Sequence, residues 1–115
     1  MYVISGILEV GFILLTHNVC KESDMSKMRE LVNDIIAIEE RLRHFESKYG
    51  ILSQEFYQAF TSGELSEFDA YDEYRMDFLE WAALYQTRQK LEQEYERLSA
   101  RYPAAQRIRL QLVMA

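Results

Sequence analysis

The chain has 115 residues, nineteen acids against thirteen bases, and a formal net charge of −6. That length points to one small domain, and the acidic balance argues against a simple nucleic-acid binder, because phosphate contact wants a cationic face. The single cysteine, Cys20, excludes an internal disulfide framework and a cysteine-built zinc site, and a reduced thiol makes the cytoplasm the default compartment.

Residues 2–15, YVISGILEVGFILL, are strongly apolar, interrupted by Glu9 and weakened as a helix by Gly6 and Gly11. The run is too short for an ordinary transmembrane helix. No basic residues precede it and no small-residue cleavage site follows, so it is a poor signal peptide. Three readings of residues 1–24 stand side by side: a strand or two packed on the rest, a buried segment at a dimer contact, or a start-site artefact with Met25 or Met28 as the true initiator.

Residues 25–102 carry the pattern of a long antiparallel helical hairpin, so the predicted fold class is mainly all-α. The first arm starts near Asp24 or Ser26, either of which can cap a free amide. From Met28 the apolar positions run Leu31, Ile35, Ile38, Leu42, Phe45 and Tyr49, alternating steps of three and four, which is a heptad seam. Val32 and Ile36 widen the stripe, and Gly50 supplies the permissive backbone that ends the helix. Ser53 opens a short intervening helix to about Thr61, apolar at Phe56, Tyr57 and Phe60, and Ser62-Gly63 breaks it.

The second arm is predicted over 66–102, with Ser66 and Asp69 as a variant capping box. Its apolar line is Tyr71, Tyr74, Phe78, Trp81, Leu84, Leu91, Tyr95, Leu98 and Tyr102, with Tyr85 beside it, and Pro103 stops it. Arms of about 55 and about 39 Å would leave an uncovered overhang on the longer one. Arg88 falls on the seam. Either it sits at the seam edge with its head in water, or it pairs with Glu30 or Asp34 opposite as a register-setting polar layer. Beyond Pro103, in the tail 103–115, Ile108, Leu110, Leu112 and Met114 alternate with polar residues, which suggests a short strand; a frayed or helical tail fits as well.

Charge is concentrated. Residues 54–80 hold eight carboxylates against Arg75 alone, a net of −7. The block is interleaved with Phe56, Tyr57, Phe60, Phe68, Tyr71, Tyr74 and Phe78. It reads either as a solvated acidic face over an aromatic core or as a docking surface for a basic partner, since charge of one sign steers encounter and suppresses wrong partners. A hairpin has one inside face, so dimerising or docking a partner would complete its burial, and a homo-oligomer is expected.

Signals for chemistry are sparse. The chain has no phosphate-cradling glycine loop and no nucleophile elbow. Glu40 and His44 lie four apart and off the seam, which suits a surface pair better than a metal site. The expectation is a protein that is not an enzyme, with no cofactor, no metal, no membrane span and no direct nucleic-acid contact.

The run Lys48-Tyr49-Gly50-Ile51-Leu52-Ser53-Gln54-Glu55-Phe56, then Phe60 and Ser62-Gly63-Glu64-Leu65, then Phe78-Leu79-Glu80-Trp81-Ala82, resembles a group of small helical proteins of archaea and bacteria, cyanobacteria among them. These are commonly encoded beside a small toxin and treated as antitoxin-like partners in toxin–antitoxin pairs. The resemblance covers about residues 26–100 and omits the apolar first twenty. It implies a non-enzymatic protein-binding module whose partner is a small toxin with a basic face. Under it, Glu64, Glu67, Asp69, Asp72, Glu73 and Asp77 would supply the charge complementarity, and exposed aromatics would anchor the contact. The competing reading is a homodimeric helical-hairpin scaffold or adaptor with no toxin partner.

Overall fold

The aliphatic seam winds into α1, Glu22–Tyr49, in a computed structural model that describes residues 21–114. The readings of the apolar N-terminal run therefore lie outside the described residues. Helix α1 begins two to four residues before the caps expected at Asp24 or Ser26. The seam faces inward as its spacing requires: Met28, Leu31, Leu42 and Phe45 are buried, and Ile35, Ile38 and Tyr49 are half-buried. Val32 and Ile36, at its margin, stay exposed. Gly50 adopts φ +71° and donates its N–H to the Glu46 carbonyl at 2.8 Å, closing the helix in the left-handed conformation glycine permits.

Two residues later α2, Ser53–Thr61, begins. It ends in a Schellman turn: Gly63, at φ +84°, donates to the Phe60 carbonyl at 3.3 Å, and Glu64 donates to that of Ala59 at 3.0 Å. The chain then makes a 3-10 helix, Ser66–Ala70, passes through extended Tyr71, and enters α3, Asp72–Ser99. This corrects the expected second arm. Ser66 does not cap a long helix; three-residue bonds, Phe68 N–H to Leu65 O and Tyr71 N–H to Phe68 O, place Phe68 edge-on against Phe78 with ring centroids 5.9 Å apart. Helices α1 and α3 are consequently equal at 28 residues, about 42 Å each, so the expected difference in arm length is absent.

Pro103 does end the second arm's pattern, but it starts another helix. Its carbonyl accepts the Arg107 N–H at 3.1 Å, and α4 runs Ala104–Met114. The strand expected in the tail is therefore a helix, and the described residues contain no strand. Four alternating apolar residues make too short a period to outweigh the helix-forming run from Ala104 to Arg107, and a helix satisfies its own backbone without an edge to pair with.

The chain divides into two compact units. Leu31–Gln93 form one. Its antiparallel arms pack around Leu42, Phe45, Phe56, Phe78, Trp81 and Ala82. Trp81 is wholly buried and lies flat on Phe56, centroids 3.8 Å apart and planes 2° apart. Among the described residues, 21–30 together with 94–114 form the other unit. There Met25, Met28, Leu98 and Tyr102 are buried, Tyr102 donates its hydroxyl hydrogen to Asp24, Arg29 donates to Gln111, and Arg107 donates to the Tyr95 hydroxyl at 2.9 Å.

Candidate protein-binding surface

Within the Leu31–Gln93 unit, the aromatic block forms a firm floor under the acidic segment. Phe78 meets Tyr49, Phe56, Phe60, Phe68 and Tyr74 through tilted, edge-on or offset contacts, the arrangements aromatic quadrupoles favour. Ser53 ties this floor together. Its Oγ accepts the Trp81 indole N–H at 2.8 Å and donates to Glu46 Oε2 at 2.7 Å, and its backbone N–H donates to the same oxygen at 3.0 Å. A carboxylate from α1 thus caps α2, where the helix dipole favours negative charge.

The six carboxylates singled out in the sequence lie along one short stretch in two different states. Glu64 follows the Schellman turn, Glu67 and Asp69 sit on the 3-10 helix, and Asp72 and Glu73 open α3; all five are exposed. Asp77 is different. It is half-buried, with Lys48 Nζ at 2.6 Å and the Tyr49 hydroxyl donating to it at 2.7 Å. The hydrogen bond from Lys48, helped by that from Tyr49, holds the Asp77 carboxyl below the usual carboxylate range. The Lys48 ammonium is raised by the same bond. Burial first and Asp77 second push the Tyr49 phenol up. Asp77 is therefore occupied in joining α1 to α3.

Two more acids of the block have partners. Arg41 donates to Glu80, and Arg75 reaches Asp72 at 3.4 Å. Among the described residues no ion pair engages Glu64, Glu67, Asp69 or Glu73. Close to them along the chain stand apolar groups open to solvent: Tyr71 and Met76 are each 59 % exposed and Leu79 is 47 % exposed. Beside them lies a cleft of about 450 Å³, walled by Phe60, Leu65 and Leu79, with Gly63, Asp69 and Arg75 also lining it. The apolar spacing of the sequence does not mark this cleft. The Ser62-Gly63 breaker was its one legible trace, because the turn there carries Leu65 back toward α3.

Arg88 is half-buried and paired, with a partner other than the two expected. Its Nε and Nη2 lie 3.1 and 2.6 Å from Glu39 Oε2, and Nη2 is 3.0 Å from Glu92 Oε2. Neither Glu30 nor Asp34 is its partner, since the arms pair in a different register from the one expected. A second cleft of about 330 Å³ next to Arg88 is lined by Glu39, Arg43, Glu46, Ser53 and Tyr85, so its charges are largely matched within it. Glu40 and His44 are exposed on α1. No helix among the described residues is long and apolar enough to cross a membrane. Comparison of the chain with protein-family models, with curated proteins and with solved structures gave no match.

Proposed function

We propose that this chain is a non-enzymatic protein-binding module, an antitoxin-like partner that covers the basic face of a small toxin. One observation supports the reading above others. Glu64, Glu67, Asp69 and Glu73 are exposed, have no ion pair among the described residues, and lie in the same stretch as the solvent-open Tyr71, Met76 and Leu79, beside a cluster of packed aromatic rings. Unspent charge around apolar anchors is the composition of a specific protein contact, where apolar groups supply affinity and charge supplies steering. A toxin acting on RNA presents a cationic face to phosphate, and such a face is the natural complement.

Co-expression with the product of the adjacent gene tests it. The expected result is a salt-sensitive complex that suppresses toxicity, weakened at least about tenfold by reversing charge at Asp69, Asp72 and Glu73 together. Unchanged binding by that triple variant would refute the acidic-face mechanism.

A homodimeric scaffold is the second reading, favoured by α4. Ile108, Leu112 and Val113 are 60, 74 and 83 % exposed, an apolar face unusual for a lone surface helix. Sedimentation of the isolated chain decides this reading: a well-folded monomer at micromolar concentration counts against it.

A further inference from the structure

We propose that the cleft between the Schellman turn after α2 and the first turns of α3 is an anchor pocket for one arginine side chain projecting from a basic protein surface. This rests on the protein-binding reading above and sharpens it from a diffuse acidic face to a socket with one occupant.

The cleft joins two kinds of surface. Its walls are apolar, made by Phe60, Leu65 and Leu79, and Leu79 is left 47 % exposed. Its carboxylate is Asp69, exposed and without an ion pair among the described residues. An apolar ligand would cover the walls but strip water from Asp69 without replacing it, which costs more than the contact returns. An anion would meet a stretch of net charge −7 over residues 54–80. A long cationic side chain satisfies both parts, its methylenes on the apolar walls and its head on the carboxylate. Arginine suits the cleft better than lysine. Its planar guanidinium can lie against the Phe60 ring and bond a carboxylate through two N–H groups, and it sheds water more readily than an ammonium.

The chain's own Arg75 competes with that occupant. It also lines the cleft, and its Nη2 reaches Asp72 only at 3.4 Å, one turn away on an exposed helix. An exposed pair of that length is held weakly, so Arg75 can swing out of the rim. Its positive charge opposes a second guanidinium, and removing it should favour the incoming one.

The test uses the full chain, labelled with nitrogen-15, and two blocked tripeptides, acetyl-Gly-Arg-Gly-amide and the same peptide with citrulline, the neutral shape-match of arginine. The arginine peptide is expected to shift the amides of Gly63, Leu65 and Leu79 saturably, and the citrulline peptide is not. Asp69→Asn should weaken binding about fivefold or more, the effect of one charge-assisted bond. Leu79→Ser should weaken it with no change of charge, and Arg75→Ala should strengthen it. Glu55→Gln, which removes one charge of the same block outside the cleft, should change it less than about twofold. Absence of saturable shifts at these three residues, equal shifts from citrulline, or equal losses in Asp69→Asn and Glu55→Gln would each overturn the pocket. A toxin complex that tolerates Asp69→Asn and Leu79→Ser but not the triple charge reversal would also overturn it, and would leave the protein-binding reading intact.

Discussion

Ser53→Ala should cost far more than the loss of one surface hydroxyl, although serine is commonplace at the start of a helix. Ser53 is 4 % exposed and stands between a wholly buried indole and a carboxylate. Removing its oxygen takes away a hydrogen bond to a charged group, about 2 kcal/mol, and leaves the Trp81 N–H buried with no acceptor, about 1–2 kcal/mol more. Glu46 keeps the backbone N–H of residue 53, so it is not stranded. The expected destabilisation is about 3–4 kcal/mol. In a Trp81→Phe background there is no indole N–H to strand, and the same substitution should cost only about 2 kcal/mol. Urea unfolding followed by far-ultraviolet circular dichroism on the four proteins of this cycle reads the difference, and the packing loss of Trp81→Phe cancels within it. A cost of less than about 1 kcal/mol in the wild-type background, or equal costs in both, would refute the role assigned to the Ser53 bridge.

Three further perturbations follow from the same geometry. Asp77 has a carboxyl held low in the folded state, so its contribution is present above the ordinary carboxylate range and is lost as pH falls through the lowered value; Asp77→Asn should lower the melting temperature at neutral pH, with the gap to wild type closing on acidification, and a pH-independent gap would contradict this. Gly63→Ala places a side chain at φ +84° where no neighbouring atom obstructs it, so the cost is backbone strain alone, about 1 kcal/mol, with Gly63→Asn cheaper; chemical denaturation measures both. Arg88→Leu returns an apolar residue to the seam and releases an incompletely buried ion pair, so stability should stay within about 1 kcal/mol of wild type, and a loss above about 2 kcal/mol would show that the Glu39 pair does more than set register.

What the linear sequence determined is whatever depends on neighbours three and four residues apart. The seam from Met28 to Tyr49, the glycine stop at Gly50, the break at Ser62-Gly63 and the end of the pattern at Pro103 are all local properties of a helix, and the structure keeps each of them. The concentration of acids over 54–80 is a property of composition, and five of the six acidic positions named from it are exposed while Asp77 is half-buried. Tertiary structure decided what depends on distant partners. The docking of Phe68 on Phe78 shortened the second arm to a 3-10 turn and a later start, which no capping residue announces. Inter-helix register gave Arg88 to Glu39, and the fold around Trp81 made Ser53, which opens α2, a buried acceptor. Asp77 was drawn inward by Lys48 and Tyr49, leaving four acids without an ion pair among the described residues beside a cleft whose walls are contributed by α2, the turn and α3. The acidic face is therefore a property of the sequence, but its division into structural and uncommitted carboxylates exists only once the two arms have chosen their register.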